Sequence, residues 1–67
     1  MATIINNHEF TLSNTVQQAV NNAAAHIGAD TVVVGRTHDT DDGQQYEIYD
    51  EEDNFLFRVD SDGIVSE

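Results

Sequence analysis

The sequence predicts an α+β fold: a single domain over residues 1–67, with one helix packed on an antiparallel sheet in the order ββαβββ. Three observations predict it. One stretch repeats its apolar residues at helical spacing. Several short stretches are rich in β-branched and aromatic residues, and two of them alternate apolar with polar. Turn residues separate these stretches.

Thr3-Ile4-Ile5 and His8-Glu9-Phe10-Thr11-Leu12 read as two short strands. Asn6-Asn7 between them suits a tight hairpin, because Asn tolerates positive φ. Ser13 or Asn14 can cap the helix that follows, and Asn14 with Gln17 has capping-box spacing. Val16, Val20, Ala23, Ala24 and Ile27 form one apolar stripe, and Gly28 fits the left-handed position that ends a helix. Thr31 to Val34 is a β-branched strand, and residues 37–43 read as a polar loop. From Gln45 to Asp50, Tyr46 and Ile48 share one face, with Glu47 and Tyr49 on the other. From Asn54 to Val59, Phe55, Phe57 and Val59 share a face, with Leu56 and Arg58 opposite. Asp60-Ser61-Asp62-Gly63 is a turn, and Ile64-Val65 is a candidate last edge strand.

The expected core is Ile4, Phe10, Leu12, Val16, Val20, Ala24, Ile27, Val32, Val34, Tyr46, Ile48, Phe55, Phe57 and Val59. The second sheet face would carry Val33, Tyr49 and Leu56, a candidate face for a partner or for a homodimer.

Charge dominates the composition. Thirteen Asp and Glu stand against two Arg and no Lys, giving a formal net charge of −11 on 67 residues. Repulsion among like charges opposes the compact state. Direct contact with nucleic acid or with anionic membranes is excluded by the same repulsion, so partners should be basic. The chain holds no Cys, so no disulfide or thiolate zinc site is expected. Met1-Ala2-Thr3 opens without the basic and apolar runs of a signal peptide, and the expected compartment is the cytoplasm.

No catalytic, cofactor or metal constellation is legible, and the chain reads as non-enzymatic. Asp39-Thr40-Asp41-Asp42-Gly43 fits no register of a calcium-binding EF-hand loop. His8, His26 and His38 fall at no metal-ligand spacing; His26 suits the negative end of the helix. Arg36 and Arg58 are expected to pair with neighbouring acids.

Twelve of the thirteen acids lie from Asp30 onward, in turns and on outward strand positions. The candidate partner-binding set is Asp39, Asp41, Asp42, Glu47, Asp50, Glu51, Glu52, Asp53, Asp60 and Asp62. Such carboxylates can approximate a short run of phosphates and fit a cationic channel built for nucleic acid. In its small size, lack of Lys and Cys, and rows such as Asp39-Thr40-Asp41-Asp42 and Asp50-Glu51-Glu52-Asp53, the chain resembles the phage-encoded DNA mimics, including anti-CRISPR proteins. That resemblance implies a target among basic nucleic-acid-binding proteins, such as a CRISPR-Cas subunit in the host cytoplasm. Ala23 to Asp50 is also similar to small YhcN-type stress proteins of enteric bacteria, which supports the helix-to-strand reading. Two alternatives compete: a domain adapted to high salt, against which stand ten Asn and Gln, and a generic dimerising module.

Overall fold

The computed structural model describes residues 2–41 and 43–66. Its elements are β1 (Thr3–Ile5), α1 (Asn14–Ile27), β2 (Thr31–Thr40), β3 (Gly43–Tyr49), β4 (Phe55–Asp60) and β5 (Val65–Ser66). They form one five-stranded sheet in the order β1-β2-β3-β4-β5, with α1 against one face. The α+β class holds, but the sheet is mixed, because β1 runs parallel to β2 (Thr3 beside Thr31, Ile5 beside Val33).

The expected N-terminal hairpin does not form. Asn6 turns the chain through its side chain: Oδ1 accepts from His8 N at 3.0 Å, and Nδ2 donates to the Phe10 carbonyl at 2.8 Å. Residues 8–12 then lead into the helix rather than back along β1. Phe10 and Leu12 mimic strand alternation, but their apolar character serves packing. Leu12 is buried, and Phe10 stacks on His8 with its other neighbour Tyr46 at 5.7 Å.

Ser13 is the cap that forms, accepting from Val16 N at 3.2 Å. Gly28, at φ 75°, ends the helix, and Ala29 N donates to the Ala24 carbonyl at 2.8 Å. The polar stretch expected as a loop is instead a hairpin arm. β2 runs to Thr40 and pairs with β3 through His38–Gln45 and Thr40–Gly43. From Arg36 to Thr40 its side chains are exposed on both faces, so no alternation marked this arm as a strand.

Two bulges set which side chains meet. In β2, Gly35 and Arg36 together stand opposite Glu47. In β4, Leu56 is the extra residue between the Ile48–Phe57 and Tyr49–Phe55 pairs. This second bulge reverses the expected facing. Leu56 packs toward the helix and core, while Phe55 turns to the open face, 43% exposed and edge-on to Tyr49 at 5.7 Å.

The core comprises Leu12, Val16, Val20, Ala24, Val32, Val34, Tyr46, Ile48, Phe57 and Val59. Ile4 and Phe10 are half-buried against it. Ile27, expected inside, is 49% exposed at the last helical position.

The β3–β4 and β4–β5 turns share one plan. In the first, Asp50 N donates to the Asn54 carbonyl (3.0 Å) and Asp53 N to the Asp50 carbonyl (3.2 Å). In the second, Asp60 N donates to the Ile64 carbonyl (3.1 Å) and Gly63 N to the Asp60 carbonyl (3.0 Å). Both are three-residue hairpin loops closed by a left-handed residue. That residue is Gly63 at φ 85° in one and Asp53 at φ 70° in the other. A side chain in this region costs about 1 kcal/mol relative to Gly. Asp53→Gly is therefore expected to raise the unfolding free energy by about that amount, read as a higher urea midpoint. Asp53→Asn, which keeps a residue tolerant of this backbone, should isolate the smaller gain from removing one charge. A midpoint for Asp53→Gly at or below that of Asp53→Asn would contradict the strain.

Candidate functional site: carboxylates on the hairpin turns

Antiparallel connection of β2 to β5 sends successive turns to opposite ends of the sheet. The β2–β3 and β4–β5 tips meet at one end, where Ser61 N donates to the Gln44 carbonyl at 2.9 Å. This end gathers Asp39, Asp41, Asp60 and Asp62. The β3–β4 turn occupies the other end, where Asp50, Glu51 and Glu52 share a concavity with Asp30, and Asp53 completes the turn. The carboxylates thus form two groups at opposite ends rather than one continuous row. Asp42 lies outside the described residues.

Two of these carboxylates close the turns that carry the others. Asp50 Oδ1 accepts from Glu52 N at 2.8 Å and Asn54 N at 2.9 Å, while Oδ2 accepts from Asn54 Nδ2 at 3.1 Å. Asp60 Oδ1 accepts from Asp62 N at 3.0 Å and Ile64 N at 2.9 Å. Backbone donation from Asn54, helped by its side chain and by Glu52 N, holds the Asp50 carboxyl below its ordinary range. Asp50 and Asp60 are therefore braces of the turns. Their neighbours Glu51, Glu52, Asp53 and Asp62 project from those braces and are exposed. The signal for this was present in sequence: Asp50 to Asn54 and Asp60 to Ile64 start the same pattern ten residues apart.

Glu47 does not behave as a display group. Only 9% exposed, it lies on the open face, where its Oε2 bonds His38 Nε2 and its Oε1 accepts from the Tyr49 hydroxyl at 2.5 Å. These two donors, with added attraction from His38 and from Arg58, hold its carboxyl below the ordinary range. The same bond, together with burial, raises the Tyr49 hydroxyl above its ordinary value. Tyr49 covers Gly35 so closely that a Cβ there would stand 2.3 Å from its ring.

The pH consequence follows from both signs. Glu47 is depressed on folding, so its contribution is complete above the ordinary carboxylate range and is lost as pH falls through the depressed folded value. Tyr49 is raised, so its contribution is complete below the ordinary phenol range and is lost as pH rises through the raised folded value. Glu47→Gln is expected to lower the urea midpoint near neutral pH, with the gap to the parent closing as the pH falls through the depressed folded value of Glu47. A gap that does not change with pH would contradict this role.

Among the described residues, neither arginine makes the expected ion pair. Among the described residues, the one pair within 4.0 Å is His38–Glu47. Arg58 stands across the strand from Glu47, and Arg36 shares a shallow concavity with His8, Val33, Tyr49 and Asp53. His8, expected as a strand residue, donates from Nε2 to the Gly35 carbonyl at 2.7 Å. Of the candidate partner face, Val33 and Tyr49 do share the open side, whereas Leu56 does not.

Among the described residues, no three His, Cys, Asp or Glu side chains converge as a metal site would require. No helix among them is long and apolar enough to cross a membrane. No protein family, no curated protein and no solved structure matches the chain.

Proposed function

We propose that the chain is a non-enzymatic inhibitor that mimics nucleic acid and occupies a basic nucleic-acid-binding surface, as an anti-CRISPR protein does on a CRISPR-Cas effector. The observation that carries this reading is the bracing of uncompensated carboxylates at both ends of the sheet. Backbone donors to Asp50 and Asp60 fix the turns from which Glu51, Glu52, Asp53 and Asp62 project. The two arginines lie along the sheet, in β2 and β4, and make no ion pair with these groups within 4.0 Å. The chain spans 31 Å in its longest dimension. Duplex DNA carries about 18 charges over that length, at one per ~1.7 Å. Thirteen acids are a comparable supply, and nine of them lie where a cationic channel would meet the two ends.

Such binding needs no chemistry and should be steered by long-range attraction. Calorimetric titration of guide-loaded CRISPR effectors with the protein, repeated across salt concentrations, tests it. Binding whose affinity falls steeply between about 50 and 200 mM salt is expected. Binding to no effector, or binding indifferent to salt, would overturn the reading.

A further inference from the structure

Among the described residues, four large hydrophobic side chains are exposed, and two of them line a single groove. Ile27, at the end of α1, is 49% exposed, and Val65, on β5, is 39% exposed. With Ala23, Leu56 and Phe57 they form an apolar channel between the helix and the β4–β5 edge. β5 is an edge strand, so the channel opens at the rim of the sheet. Ile64, a third exposed apolar residue at 63%, adjoins Val65 in the chain.

The channel continues into acid. Ile27 and Leu56 also line the concavity that holds Asp30, Glu51 and Glu52. An apolar trough ending in carboxylates has a matching ligand chemistry: apolar side chains followed by cations. A second copy of this chain is a poor occupant, because each copy carries −11 and would bring the same carboxylates to the contact. Anionic lipid is repelled for the same reason.

The geometry points to this groove as the docking site for a basic amphipathic segment of the inhibited protein. Its apolar residues rest on Ile27, Leu56 and Val65, and its Lys or Arg side chains meet Asp30, Glu51 and Glu52. The inference rests on the proposed function and adds an apolar anchor to it. Charge then supplies the approach, and the groove supplies selection among basic partners.

Two synthetic probes separate the groove from the charge: a Leu/Lys amphipathic peptide, and an oligolysine of equal charge. Each is titrated into ¹⁵N-labelled protein. The amphipathic peptide is expected to shift the amides of Ala23, Ile27, Leu56 and Val65, whereas oligolysine shifts only those of the acidic turns. The Ile27→Ser/Val65→Ser variant changes exposed positions and leaves the core intact. It should bind the amphipathic peptide on the order of ten-fold more weakly and oligolysine unchanged. Ile27→Thr alone should move affinity in the same direction. If both peptides shift the acidic turns alone and the variants bind as the parent does, the groove is overturned and the anionic reading stands. If neither peptide binds, both are overturned.

Discussion

Ile48→Ala is expected to leave the chain largely unfolded at 25 °C. Ile48 is fully buried at the middle of the sheet, paired with Val34 on one side and Phe57 on the other. Removing three carbons there loses their transfer free energy and leaves a cavity, together about 2–5 kcal/mol. A domain of this length has roughly 3–10 kcal/mol in total. This one must also overcome the repulsion of a −11 charge without help from a disulfide. The loss is therefore a large part of the whole. Circular dichroism with a urea titration checks it: the expected variant shows little or no folded baseline, and added salt should recover part of it by screening the repulsion. A cooperative transition near the parent midpoint would mean that the sheet does not depend on this layer.

The second large effect concerns the surface. Glu51→Lys, Glu52→Lys, Asp41→Lys and Asp62→Lys together raise the formal charge from −11 to −3 and touch both ends of the sheet. Asp50 and Asp60 stay, because their carboxylates accept the backbone donors that close the turns. A reversal at either would confuse a lost contact with a lost turn. All four chosen residues are exposed, so the fold should survive and even gain stability as the repulsion falls. Each reversal replaces an attraction to a basic surface with a repulsion. At a few tenths to 1 kcal/mol for each exposed charge, the set should weaken binding by roughly 100-fold or more. The association rate should fall more than the dissociation rate rises, which stopped-flow kinetics would read. Unchanged affinity would remove the carboxylates from the interface.

Helix, core and later strands were legible in sequence because each carries an apolar period matched to a single buried face. The stripe from Val16 to Ala24 and the Tyr46–Ile48 alternation are such cases. The failures have physical causes. Phe10 and Leu12 alternate like a strand, but their backbone is drawn into a turn by Asn6 and toward the helix cap at Ser13. The arm from Thr37 to Thr40 has no core to face, so its strand character leaves no mark on side-chain polarity. The bulge at Leu56 changes facing in mid-strand, which a period of two cannot anticipate. At the candidate site, the abundance and place of the acids could be read directly. The bracing role of Asp50 and Asp60 left a trace in the ten-residue recurrence of the turn pattern, whereas the withdrawal of Glu47 did not, since it depends on the cross-strand reach of His38.

The central claim is that fixed carboxylates take the place of phosphates in a basic groove. The most direct measurement is displacement: guide-loaded CRISPR effector, labelled target duplex, and increasing amounts of this protein, read by electrophoretic mobility. The account predicts that the parent chain releases the duplex in proportion to its occupancy and that the four-lysine variant, still folded, does not. Release by both proteins alike, or by neither, would contradict it.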